Sequence, residues 1–283
     1  MKTYEAKIFD VNRYELGEGP YFDPRYNRLS WVDIMNNKLV VIKDGIKEII
    51  DLEKPTGAAV PLSDSEGFLL ASSDGLYIYE NGVKTLYLDM KDEFGLLLRS
   101  NDCKADPMGR LFFGSSLLDD GEPFGKFYSY DGMNLTIIEG DTKIANGMAW
   151  NKDRTKMYFC DSPYGVFEYD YDVSSGKVSN RKLIFTFEGG TSDGMCIDSD
   201  DNLWIAIWGG SRVECRSTKT GEILSIINVP ATQVTSCCFY GDKMNQLLIT
   251  TAAVGLEGEY EGRIFTCTVD ATGVVPDYAR ITR

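Results

Sequence analysis

The sequence predicts an all-β chain folded as a six-bladed β-propeller. Two observations carry that reading. No long segment keeps a helical period, and short runs of β-branched and aromatic residues bounded by Gly, Asp, Asn or Ser recur throughout. The runs are Leu29–Ile34, Gly67–Ala71, Leu111–Gly114, Met157–Cys160, Leu203–Ile207 and Leu247–Thr251. They also fall in phase, at a period of about 40–47 residues, the size of a four-stranded blade. A sandwich has no reason for six phased copies, and six units fill all 283 residues as one domain.

Each unit opens on an apolar strand. These lie near Gly19–Phe22, Gly57–Pro61, Cys103–Ala105, Gly147–Trp150, Gly194–Ile197 and Ser236–Phe239. Turn and second strand then read FDPRYNRLSWVD, LSDSEGFLLAS, ADPMGRLFFGS, WNKDRTKMYFCD, IDSDDNLWIAI and FYGDKMNQLLIT. Aromatic third strands follow: NKLVVI, GLYIYE, GKFYSYD, GVFEYDYD, SRVECRS and GRIFTCT. Tyr4–Phe9 precedes the first unit and Tyr278–Thr282 follows the last, so one of them is expected to complete the final blade and remove its exposed edge. Trp31, Trp150 and Trp204 are expected in blade cores, with Trp208, in WGG at a strand end, the one that reaches a pocket. Asp33, Asp161 and Asp198 are expected to cap turns. The DSDDN run at 198–202 lacks the Gly and terminal Glu of a calcium loop and is read as a turn.

Composition narrows the chemistry. There is no histidine, which excludes Ser-His-Asp and Cys-His nucleophile systems and His-ligated metals. A general base must be a carboxylate, or less often Lys, Tyr or Cys. Lys plus Arg number 29 against 43 Asp plus Glu, a net charge of −14. That balance argues against nucleic acid or an anionic membrane as partner and is compatible with binding cations. MKTYEAKIFD alternates polar and apolar, unlike a signal peptide, and no run approaches a membrane span. The seven cysteines include no CxxC pair, which fits reduced thiols in a cytoplasmic protein. Cys237 and Cys238, adjacent in a strand, should face opposite sides.

In a propeller the first strand of each blade lines the central channel. Four units carry polar residues where that strand begins: Glu18 in GEGP, Asn101 in LRSND, Asn146 in IANGMAW and Asp193 in TSDGMCID. Taken singly, Asn-Gly and Asp-Gly are turn signals. Their shared phase instead aims carboxylates and amides at one axis, a set of oxygen donors suited to Ca²⁺, Mg²⁺ or Mn²⁺, with Zn²⁺ also possible.

At these residues the sequence resembles the family of regucalcin-type senescence marker proteins, gluconolactonases and luciferin-regenerating enzymes. The resemblance runs through GEGPYFD with WVDI, RSNDCKADPMGRLFFGS, IANGMAWNKDRTKMYFCDS, FEYDYDVSSGKVSNRK, SDGMCIDSDDNLWIAIWGGSRV and TSCCFYGDKMNQLLITTA, nearly end to end. It implies one catalytic divalent cation (Ca²⁺, Zn²⁺, Mg²⁺ or Mn²⁺) on Glu18, Asn146 and Asp193. It implies substrate contacts from Arg99 and Asn101, and from an acidic residue matched here by Asp119, with Asp120 as rival. The implied function is a lactonase acting on sugar-type or related small lactones, in a monomer or weak dimer. A cation would polarise the ring carbonyl and activate a water, and without histidine Asp193 is the expected base. The alternatives are a non-enzymatic calcium-binding regulatory propeller and a metal-dependent phosphotriesterase or arylesterase. Two departures bear on substrate: Cys103 stands where the family has glycine, and the loop Leu117–Phe124, expected to form a lid, is individual.

Overall fold

The computed structural model describes residues 1–117 and 125–282. Asp119 and Asp120 therefore lie outside the described residues. Six antiparallel sheets follow one another around a ring, each with its first strand innermost. The innermost strands are Gly17–Asp23, Thr56–Pro61, Leu98–Ala105, Ile144–Trp150, Thr191–Ile197 and Gln233–Tyr240, for blades 1 to 6. The fold is the predicted six-bladed propeller.

Its core is the set of faces between blades. Six clusters of buried side chains map one to each junction, because alternate residues of a strand face opposite neighbours. Trp31 packs between blades 6 and 1, Trp204 between 5 and 6, and Trp150 between 3 and 4. At the last of these, Phe127 and Phe159 stack with centroids 4.0 Å apart. Trp208 ends its strand only partly buried. Cys237 and Cys238 face opposite junctions, 5/6 and 6/1. Asp33, Asp161 and Asp198 serve as turn caps. Asp198 accepts from the Asp200 and Asn202 amides and from Trp204 Nε1. Asp33 accepts from the Glu15 and Leu16 amides, and Asp161 from those of Lys143 and Ile144. The last two carboxylates thereby anchor the chain just before Glu18 and Asn146.

The N-terminal segment closes the ring, and it does so as two strands. Lys7–Asp10 pairs antiparallel with Ile264–Thr268 as the outer strand of blade 6, and Lys2–Glu5 adds a parallel fifth strand to blade 5. Tyr278–Thr282 is no strand. Residues 272–282 cross the end of the ring formed by the turns after the innermost strands. The backbone there bonds Met244, Ile197, Ser199, Pro61, Ser63 and Gly109 in turn. This tail thus spans turns of blades 6, 5, 2 and 3, and Arg25 of blade 1 lies 3.7 Å over the Tyr278 ring. Its backbone hydrogen bonds go to loops rather than to a ladder, which is why a strand-like sequence forms none. Among the described residues no helix is long and apolar enough to cross a membrane.

Candidate metal and catalytic site

Every innermost strand breaks register with its neighbour at the same place. The shifts fall between Glu18 and Tyr21, Thr56 and Ala58, Ser100 and Cys103, Ala145 and Met148, Ser192 and Met195, and Val234 and Ser236. A bulge re-aims the side chains it carries. Asn101, Asn146 and Asp193 sit inside bulges, and Glu18 at the edge of one. These strands begin earlier than their apolar runs suggest, so all four residues lie within strands, and Asn146-Gly147 and Asp193-Gly194 are not turns. The glycines serve close approach of the next blade. A Cβ on Gly147 would lie 2.6 Å from Met195 N, and one on Gly57 2.1 Å from Asn101 O. Cys103 has no left-handed φ. It packs between blades 2 and 3, so it brings no backbone strain to the site.

The ring is tied together around these bulges. Asn101 Nδ2 donates to Ala145 O at 3.0 Å and to Asn146 Oδ1. Asn146 Nδ2 donates to Ser162 Oγ at 2.9 Å, and Ser162 in turn donates to Ser192 O. Ser162 thus leaves the Asn146 amide oxygen toward the Asn101 side. Arg99 donates to Asn101 Oδ1 at 2.8 Å and to Ser100 O at 3.0 Å. Thr235 Oγ1 donates to Gly17 O at 2.6 Å, closing blade 6 on blade 1. The Glu18 carboxylate accepts from the Gly19 amide at 2.7 Å.

Sequence reasoning missed a third carboxylate. Glu18, Asp102 and Asp193 are all buried, at 4, 5 and 6% exposure. Burial first, then Asp102 and Asp193, holds Glu18 well above the usual carboxylate range, against the Gly19 amide and Arg99. Burial and Asp102 do the same to Asp193. Burial lifts Asp102 to about 6, against Lys104 and Arg99. Burial also lowers Arg99, opposed by all three carboxylates. The signal for Asp102 was its phase: it occupies the bulge slot that holds Gly147 and Gly194 in blades 4 and 5. Lys104, which crosses to donate to Met195 O, and Ser162 were missed as well.

The donor chemistry fits a hard divalent cation. The three carboxylates repel one another in a buried space, and none forms an ion pair among the described residues. Three hard oxygen donors set against only Arg99 and Lys104 are a group that such a cation satisfies. Among the described residues, no three His, Cys, Asp or Glu side chains are grouped so that they could hold a metal ion by themselves.

Fold and site together define a six-bladed propeller with a buried, acidic, oxygen-rich cluster on its innermost strands. Residues 16–253 match the family model of the SMP-30/gluconolactonase/LRE-like region, and the chain belongs to that family. It is 32% identical to the Bacillus subtilis protein named "Putative sugar lactone lactonase YvrE", over 96% of this chain and 97% of that one. It is 30% identical to the regucalcin of Danio rerio, over 99% of both chains. Among solved structures, a calcium-binding protein, regucalcin, of Agrobacterium tumefaciens superposes with a TM-score of 0.91 at 26% identity, covering 100% of this chain and 99% of that one.

Proposed function

We propose that this protein is a divalent-cation-dependent lactonase acting on sugar-type or related small lactones. The observation that carries the reading is the convergence of Glu18, Asn146 and Asp193 with Arg99 and Asn101 at the bulged ends of four innermost strands. Family membership supports a hydrolase of this type. The calcium-binding description of the Agrobacterium relative supports a divalent ion.

Glu18, Asn146 and Asp193 would hold the cation, whose chemistry when bound is to polarise an ester carbonyl and acidify a water. The residues do the rest. Ser162 and Asn101 fix the Asn146 amide, the kind of outer support that sets a ligand's orientation. Arg99, braced on Asn101 Oδ1 and Ser100 O, presents its remaining N–H groups to a substrate hydroxyl or carbonyl oxygen. Asp193 takes the proton from the attacking water. The walls keep bulk water from competing. An acidic substrate contact at Asp119 belongs to this proposal as well.

The test is a panel of aldonolactones assayed with Ca²⁺, Mg²⁺, Mn²⁺ and Zn²⁺, on the wild type and on Asp193→Ala. Turnover is expected with at least one ion and lost in the variant, with the fold intact by circular dichroism. Near-wild-type rates in Asp193→Ala would sink the assignment. Tight cation binding with no turnover of any lactone would instead point to a binding protein.

A further inference from the structure

The junction between blades 5 and 6 holds a pair of thiols that the proposed reaction does not use. Cys196 and Cys237 lie on the innermost strands of blades 5 and 6, with sulfurs 3.6 Å apart. Cys237 also donates to Trp204 O at 3.3 Å, which keeps its sulfur on the blade 5 side. Six of the seven cysteines are buried, whereas Cys196 keeps partial exposure. Lys104 reaches across from blade 3 to Met195 O, the residue before Cys196, and its charge favours the Cys196 thiolate. A disulfide needs sulfurs about 2.05 Å apart. The remaining gap of about 1.5 Å is within reach of small side-chain rotations shared by two cysteines.

We propose that Cys196 and Cys237 form a reversible intramolecular disulfide when hydrogen peroxide reaches the partly exposed Cys196. The Cys196 thiolate attacks the peroxide oxygen. The O–O bond breaks, and the departing hydroxide takes the proton lost by the thiol and leaves as water, giving a sulfenic acid. The Cys237 sulfur then attacks the Cys196 sulfur, and the sulfenic hydroxyl leaves with the Cys237 proton as a second water. Two thiols are oxidised by two electrons and one peroxide is reduced to two waters. A dithiol reductant reverses the bond by exchange. Burial and the neighbouring Cys237 push the Cys196 thiol well above its usual pKa, so oxidation is slow and rises with pH. The bond joins residues 41 apart in sequence and staples blade 6 to the strand that carries Asp193. It therefore restricts the unfolded chain and stabilises the ring.

The full chain is treated with hydrogen peroxide, denatured and alkylated, and its intact mass is measured. Alkylation of only five of the seven thiols is expected, with peptide mapping placing the bond at 196–237. The apparent melting temperature should rise by several degrees and return with dithiothreitol. Cys196→Ser and Cys237→Ser should each lose both effects, and Cys103→Ser should keep them. Seven alkylated thiols after prolonged exposure to millimolar peroxide overturn the proposal. So does a bond to any other cysteine, a disulfide-linked dimer, or a sulfinic acid at Cys196 with no cross-link. The mapping on wild-type protein decides the matter even if a serine variant folds poorly.

Discussion

Gly194→Ala tests whether the channel glycines exist for contact between blades. Gly194 has no left-handed φ, so alanine can adopt its backbone and any cost is steric. A Cβ there would lie 2.1 Å from Ser236 Oγ, 2.5 Å from Ser236 Cβ and 3.0 Å from Ser236 Cα. Ordinary carbon contacts need about 3.5–4.0 Å. Rotating the Ser236 hydroxyl relieves the first contact, but its Cβ moves only with the backbone. The two innermost strands must therefore part by about 1 Å, and overpacking of this kind costs about 1–3 kcal/mol. Ser236→Gly removes both of the closest atoms at a backbone cost of about 0.5–1 kcal/mol. The double variant should then be about as stable as Ser236→Gly alone, a coupling of about 1–3 kcal/mol. Urea unfolding followed by tryptophan fluorescence reads this as a shift in midpoint at constant slope. Because Gly194 follows Asp193, the single variant should also lose activity and the double variant recover part of it. A loss below about 0.5 kcal/mol in Gly194→Ala, or strictly additive costs, would refute the reasoning.

Other outcomes follow from the same geometry. Asp106, fully buried, accepts from the Met108 and Arg110 amides, Arg110 Nε and Tyr171 OH. Asp106→Ala takes the carboxylate from Arg110 Nε and Tyr171 OH, while Arg110 keeps Tyr171 OH and the Val173 and Ser174 carbonyls, and should cost about 1–3 kcal/mol in urea unfolding. Burial lifts Asp277 in the crossing tail to about 6, with Arg154 opposing. The folded state then binds that proton more tightly than the unfolded one, so the contribution to stability is present below about pH 4 and lost as pH rises through about 6. Asp277→Asn should therefore gain about 2–3 kcal/mol on the wild type between pH 4 and 7, and parallel stability curves would count against it. A saturating divalent cation should raise the melting temperature through its affinity for the folded site alone, by about 2.7 kcal/mol at a hundredfold excess over Kd. Asp102→Asn should weaken that affinity at least about tenfold in calorimetric titration, because even a unit charge about 10 Å away is worth about 1.7 kcal/mol at an effective dielectric of about 20.

The six-blade repeat was legible because each blade must repeat the same alternation to bury both its faces. The place of Glu18, Asn146 and Asp193 on innermost strands was legible because phase marks that strand, whatever its residues. Strand ends were harder. Gly, Asn and Asp usually break strands, and here they lie inside bulged strands. The reason is non-local: Gly57 is needed by Asn101 of blade 3, and Gly194 by Ser236 of blade 6. Asp102 was hidden by the same fact, since nothing local distinguishes a carboxylate in a glycine slot from a surface turn. Closure was ambiguous because Tyr4–Phe9 and Tyr278–Thr282 alternate alike. What separates them is whether partner strands or loop carbonyls meet their backbone, and that is set by the whole ring.

The bulges explain why acidity concentrates where it does. A regular ladder sends successive side chains to opposite faces, so one strand offers the channel one residue in every two. A bulge relaxes that alternation and lets adjacent positions such as Asn101 and Asp102 both serve the site. Repeated around the ring, it gathers five polar side chains into a buried space. The arrangement is electrostatically expensive, because three carboxylates lie there with Arg99 and Lys104 as their positive neighbours and, among the described residues, no ion pair. Each tie around the ring, from Thr235 on Gly17 to Ser162 on Ser192, holds those charges against their repulsion. A bound cation would relieve the strain directly, so ion affinity and propeller stability are coupled through the same residues.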